Sequence, residues 1–258
     1  MKSNDYEKKK QREIDFFILK KKQNRIVKFF HLPLFYDALR DTYNYVYAKT
    51  QMERFIHQRL KKKVVENMLI APCGGGHDYK YLAKFAKNIY GIDLSQGQID
   101  RCPSQIIAKA GDILESGYSD EQFDFIASPF FFHHVKNFGF DPFLKEFYRI
   151  LKHGGYIFIM EPSIFYPVYA FTRPLKKIFK NPFGEVEDEG PIHPKMLIKS
   201  LKRSCFKNIE VNAATFSHVS FFIPLAKVIN WITKPLLNKW PFKNLDGWYH
   251  FGQEKSRI

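Results

Sequence analysis

The sequence is poor in cysteine, poor in acid relative to base, and has no glycine before Gly74. Three cysteines, Cys73, Cys102 and Cys205, form neither an even set nor a CxxC pair. That argues against a disulfide framework and structural zinc, and points to a reducing cytosol. No apolar run reaches the roughly 18 residues of a membrane-spanning helix. The N-terminus has no uninterrupted apolar stretch, so a secretory signal is not expected. A dinucleotide fingerprint is also missing. Counting GxGxxG from Gly74 puts Tyr79 where the third glycine, needed for close helix–strand packing, should stand. GxxxxGK[ST] does not occur, so hydrolysis of a nucleoside triphosphate has no support.

What is present in excess is positive charge. Lysine and arginine number 41 against 26 acids, a formal charge of +15 over 258 residues. The excess crowds the N-terminus, at Lys8 to Lys10, Lys20 to Lys22 and Lys61 to Lys63. It favours an anionic neighbour, whether phospholipid, nucleic acid or a charged acceptor, although solvated helix faces also carry such runs. Aromatics reach 17%, with 27 Phe and 14 Tyr. They are spread along the chain, which fits compositional bias as well as a ring-binding surface.

Two textures divide the chain. Residues 1–63 read as a helical N-terminal extension packing on the core, and residues 64–258 as the main domain. In the latter, apolar runs (67–71, 88–92, 104–108, 123–128, 156–160) alternate with helical stretches (78–87, 95–101, 141–151). That alternation predicts an α/β fold around a mostly parallel sheet. Irregular segments at about 163–192 and 216–246 read as insertions. They flank a helix at 193–202, begun by Pro194, and a strand at 207–213. A last strand is expected from Trp248.

Three stretches carry chemistry. Met68 to Asp78 is an apolar strand running into Cys73, Gly74, Gly75 and Gly76. Glycine lets a backbone turn sharply and approach a ligand, though a plain tight turn would use it too. The next strand ends in Asp93, followed by Leu94 and Ser95. A carboxylate there can accept both ribose hydroxyls, or cap the following helix. After the third strand come Gly111, Asp112 and Ile113. Here an acid can accept from an exocyclic adenine amine while apolar neighbours cover the ring, or can simply form the turn.

In order and spacing, CGGG, GIDLS, GDILE, FDFIAS, HHV and RILKHGGYIFIMEP make residues 65–163 resemble the class I S-adenosylmethionine-dependent methyltransferases, type 11 small-molecule subgroup. Residues 191–212 are similar more loosely. The resemblance implies a Rossmann-like sheet of seven strands, mostly parallel with the last antiparallel, and S-adenosylmethionine as cofactor. It assigns the cofactor to Ala71, Cys73, Gly74, Gly76, Asp93, Leu94, Asp112, Ile113 and Ser128, with Tyr36 or Tyr47 closing from the N-terminal helices. Two positions depart from the family pattern. Ile70 stands where an acid is usual, and Pro72 where a glycine is.

Methyl transfer needs alignment, desolvation and, for a hydroxyl acceptor, a base. His133 and His134, after the fourth strand, are candidate bases, or a pair that fixes a loop. Glu161, ending the fifth strand, is a third candidate. No metal is expected. The acceptor is expected to be a small molecule, a sugar or a lipid-linked compound, methylated on oxygen. Ser128-Pro129-Phe130-Phe131 lacks the second proline of DNA amino-methyltransferases, so nucleic acid is the weaker alternative. A non-catalytic S-adenosylmethionine-binding protein is another. Residues 224–237 place Leu225, Ile229, Ile232 and Leu236 on one helical face, opposite Lys227, Asn230 and Lys234. That pattern suits an anionic membrane surface, or a lid packing on the core.

Overall fold

The computed structural model describes residues 3–19, 43–61, 63–165, 190–215, 223–236, 239 and 248–255. Its centre is a parallel run of five strands, β1 (Val65–Ile70), β2 (Ala86–Asp93), β3 (Ile106–Ala110), β4 (Phe123–Pro129) and β5 (Leu151–Pro162). The order across the sheet is β3-β2-β1-β4-β5, followed by β7 (Trp248–Lys255) and β6 (Phe206–Ala213). β7 runs antiparallel to both its neighbours. This is the α/β parallel sheet that the alternating texture predicts, in the Rossmann-like form that the resemblance implies. The order turns back between β1 and β4, which opens a crevice at their carboxyl ends.

Alternation along each central strand explains how both faces are covered. Leu69, Ile126, Ile157 and Ile159 point into one apolar cluster, and Met68, Ile70, Phe125, Phe158 and Met160 into the other. Strands buried on both faces read as continuous apolar runs, as these do. On the first face lie α5 (Asp141–Ile150) and α6 (Pro194–Arg203). Phe143, Leu144, Phe147 and Ile150 recur at helical spacing and are fully buried. Pro142 sits in the first turn of α5, where a missing N–H costs nothing.

The second face is covered by the N-terminal part of the chain. In α2 (Tyr43–Leu60), Ala48, Met52, Ile56 and Leu60 form a buried stripe, and Phe55 packs on Phe158 at 5.6 Å between ring centres. Burying a side chain such as Met52 or Ile56 contributes roughly 1.5–3 kcal/mol. α1 (Ser3–Leu19) lies over the crevice instead, and its Tyr6 joins the first cluster.

Local readings shift in places. The helix expected over 78–87 shrinks to α3 (Tyr79–Leu82) and a 3₁₀ turn, because β2 already begins at Ala86. The helix over 95–101 is α4 (Gln96–Ile99). Gly154 and Gly155 lie within β5, where the register jumps between Phe123↔Leu151 and Phe125↔Tyr156. The segment after β5 leaves and returns at one place: Ser163 bridges Ile192, and Ile164 N–H donates to the Ile192 carbonyl at 3.1 Å. In α7 (Ile223–Thr233) Leu225 and Ile232 of the apolar stripe are exposed, and the buried contact is made from the opposite face. Asn230 is buried with Ala226, its Oδ1 accepting from the Thr215 hydroxyl at 2.7 Å and its Nδ2 reaching Tyr43 Oη at 3.4 Å. A satisfied amide can be buried where periodicity puts it outside.

Candidate active site

The carboxyl ends of β1, β2 and β3 converge on one cavity of about 280 Å³. From β1 the chain enters it through Ala71, Pro72, Cys73 and Gly74. Gly74 has φ +50°, and a Cβ added there would meet nothing within 4 Å, so the backbone is bare towards the opening. The Asp93 carboxylate holds this bend: Oδ2 accepts from Gly74 N–H at 2.9 Å and Oδ1 from Ser95 N–H at 3.0 Å. Burial outweighs those two donors and leaves the Asp93 carboxyl above the ordinary aspartate range. Asp112, from the loop after β3, caps the turn at 113–115 by accepting from Leu114 N–H at 2.9 Å. Ile92, Ile113, Phe131 and Val135 make apolar wall.

Helix α1 closes the other side with a polar stripe. Tyr6 O–H donates to Asp112 Oδ1 at 3.0 Å, and Lys10 Nζ pairs with Asp112 Oδ2 at 3.0 Å. Burial, then the Asp112 charge, pushes the Tyr6 hydroxyl well up. One turn on, Glu13 Oε1 lies 2.7 Å from Lys9 Nζ and 3.0 Å from His134 Nδ1. Burial alone would raise the Glu13 carboxyl. His134 and Lys9 outweigh it and hold that carboxyl below the ordinary glutamate value. Behind α2's Tyr45, the fully buried Lys49 pairs with Asp78 at 2.6 Å and stands 4.8 Å from the centre of the Phe130 ring.

A second carboxylate organises the loop after β4. Glu161 is fully buried; Oε1 accepts from Phe131 and Phe132 N–H at 2.7 and 2.6 Å. Oε2 takes His133 N–H at 3.2 Å and lies 2.7 Å from His133 Nδ1. The two imidazoles sit 4.1 Å apart between ring centres.

Among known proteins, a family model described as a methyltransferase domain matches residues 69–159, the stretch that runs from the end of β1 into β5 and holds all three strand-end loops. Residues 69–159 carry a methyltransferase domain of type 11, an S-adenosylmethionine-dependent class. Demethylmenaquinone methyltransferase of Lactobacillus johnsonii is 31% identical over 118 residues, 41% of this chain and 48% of that protein. The chain thus matches about half the length of that relative. The fold is shared with an S-adenosylmethionine-dependent methyltransferase of Thermotoga maritima (TM-score 0.57, 16% identity, 83% of this chain and 93% of that one). It is shared too with phosphoethanolamine N-methyltransferase 2 of Haemonchus contortus, solved with S-adenosyl-L-methionine (TM-score 0.52, 17% identity, 90% of this chain and 60% of that one).

Within and around the methyltransferase domain, the cavity brings together Ala71, Cys73, Gly74, Asp93, Leu94, Asp112, Ile113 and His134 of the residues picked from sequence. The other described picks do not line it. Gly76 has φ +71°, and a Cβ there would strike Pro103 Cδ at 2.5 Å, so its hydrogen faces packing rather than the cavity. Ser128 is fully buried in β4, and His133 and Glu161 stand behind the wall. Tyr36 lies outside the described residues, and Tyr45 rather than Tyr47 reaches the cavity. Ile70 is fully buried and turned into the core, while Pro72 lines the opening. Sequence reasoning missed Tyr6, Lys9, Lys10, Glu13 and Tyr45. No motif marks them, and they precede the matched stretch. Among the described residues, no three His, Cys, Asp or Glu side chains gather as a metal set.

Proposed function

We propose that the chain transfers a methyl group from S-adenosylmethionine to a small-molecule, sugar or lipid-linked acceptor, with oxygen as the first-choice atom. The observation that carries this reading is the convergence of Gly74, Asp93 and Asp112 on one cavity. A bare glycine backbone, an acid with lone pairs to spare and an apolar slot ending in a second acid fit a nucleoside with a charged tail. In this reading Asp93 accepts from the ribose hydroxyls. Ile113 and Val135 cover the adenine ring, with Asp112 at its edge. Ala71, Cys73, Gly74 and Leu94 follow the remainder.

When bound, the cofactor supplies an electrophilic methyl group on a sulfonium; the chain supplies alignment, a dry wall and a base. His134 is the base best supported, because it lines the cavity with Glu13 at Nδ1. An acceptor at Nδ1 keeps the ring proton there, so Nε2 is the nitrogen with the lone pair for the acceptor's proton. Glu13 then stabilises the imidazolium. His133 and Glu161 act as positioning residues, holding the loop that presents His134. The demethylmenaquinone of the Lactobacillus relative makes a ring on a lipid chain one acceptor to test.

We further read residues 1–63 as an extension built onto a 64–258 domain, supported by α2 across the sheet. The insertions expected at about 163–192 and 216–246 lie largely outside the described residues. A reducing cytosol fits three free cysteines, Cys73, Cys102 and Cys205. A cofactor-binding protein without turnover has one observation in its favour, the engagement of Asp112 by Tyr6 and Lys10.

Calorimetry with S-adenosylmethionine, then release of S-adenosylhomocysteine over phenol, quinol and sugar acceptors, tests both readings. His134→Gln is expected to keep cofactor affinity and lower turnover about 100-fold. Undiminished turnover would remove the base. No cofactor binding by the unaltered chain would remove the enzyme.

A further inference from the structure

Helix α7 buries the wrong side for a soluble lid. Ala226 and Asn230, one turn apart, face the protein. Leu225, Val228, Trp231 and Ile232 face outward, 50%, 52%, 80% and 53% exposed. At 100° per residue these four fall within one apolar arc, and Lys227 and Lys234 fall together on its edge. Scattered exposed apolar residues are ordinary, whereas four on one helix face, with a tryptophan standing almost free, mark a surface that something covers.

We propose that this face is a docking surface for an anionic phospholipid bilayer, with α7 lying in the plane of the interface. Charge chooses the occupant. The chain carries +15, and both lysines are exposed on the Trp231 edge of the arc. Lys227 Nζ stays over the Tyr43 ring, and Lys234 is placed to run its stem along apolar surface and set its head at phosphate. Tryptophan suits the same level, with an apolar body and one N–H for the headgroups. No described helix is long and apolar enough to cross a membrane, so the surface is one that lies on lipid. Beneath it, Asn230 reaches Tyr43 at the start of α2, and Lys227 Nζ stands 5.6 Å from the centre of the Tyr43 ring. α2 also carries Tyr45, which lines the cavity. The docked helix is thus packed on the element that forms part of the wall of the methyltransferase cavity.

Flotation of the full chain with vesicles tests this. Phosphatidylcholine vesicles with about a third phosphatidylglycerol are expected to carry the protein at low salt, and pure phosphatidylcholine vesicles to leave most of it behind. Tryptophan fluorescence, read in a chain carrying Trp240→Phe and Trp248→Phe, should shift to the blue on the anionic vesicles. Val228→Glu combined with Ile232→Glu should lower partitioning roughly tenfold or more. The exposed positions should leave the melting temperature in place, and Trp231 remains as the reporter. Failure of the unaltered chain to float at low salt overturns the proposal. So does full flotation of the double variant, which would assign binding to the basic N-terminus alone. A dimer in sedimentation that the double variant abolishes would also overturn it, by giving the face to a second copy. Vesicle binding is read without cofactor or acceptor, so its failure leaves the methyl-transfer reading untouched.

Discussion

Two glycines in one loop have different reasons to be glycine. Gly74 and Gly76 both have positive φ, but only Gly76 is walled in, by Pro103 and Ile106. Gly76→Ala should therefore cost roughly 2–4 kcal/mol from overpacking and left-handed strain together, seen as a fall in melting temperature. Gly74→Ala should cost only about 1 kcal/mol, since its Cβ projects into open space. The same Cβ would stand where a ligand approaches, so cofactor affinity should fall about tenfold in calorimetry. Reversal of this order, with Gly74→Ala the less stable variant, would refute the division of labour. Glu161 teaches a related lesson. At the end of a strand in sequence it looks like a base, yet three backbone N–H groups and His133 bind its two oxygens. A carboxylate so engaged builds the loop that bears His134.

At the scale of elements, α1 is unusual in burying polar residues at helical spacing. Tyr6, Lys9 and Glu13 face inward, while apolar periodicity gives no hint of that face. Buried charge must be paired, and here it is: Lys9 pairs with Glu13, and Glu13 with His134, while Tyr6 donates to Asp112. Glu13 makes the clamp sensitive to acid. Its folded-state pKa lies below the ordinary 4.5, so its stabilisation is full above that value and is lost as pH falls through the folded pKa. Amide exchange or limited proteolysis should show α1 detaching in that acid range before the sheet opens. Glu13→Gln should remove the pH-dependent step and expose α1 at neutral pH. Protection of α1 that stays unchanged on acidification until the sheet itself opens would exclude the clamp.

For the whole molecule, a ligand that binds only the folded chain raises its stability by mass action. S-adenosylmethionine at about 100 times its Kd should add about 2.7 kcal/mol, or roughly 5–10 °C in melting temperature for a chain of this size. Asp93→Ala should abolish most of that shift. A shift of equal size in Asp93→Ala would remove this carboxylate from the binding site.

The alternation of apolar runs with helical stretches was enough for the parallel sheet, since periods of two and near four are local properties of backbone geometry. The strand-end positions of Gly74, Asp93 and Asp112 were legible for the same reason. Partnership across the chain was not. Tyr6 meets Asp112 across 106 positions, Glu13 meets His134 across 121 and Asn230 meets Tyr43 across 187. Whether a polar side chain is buried depends on a partner that only packing supplies. Sequence therefore determined the sheet and the three strand-end turns that line the cavity. Tertiary structure decided which helix walls the cavity, which histidine faces it and which side of α7 meets the outside.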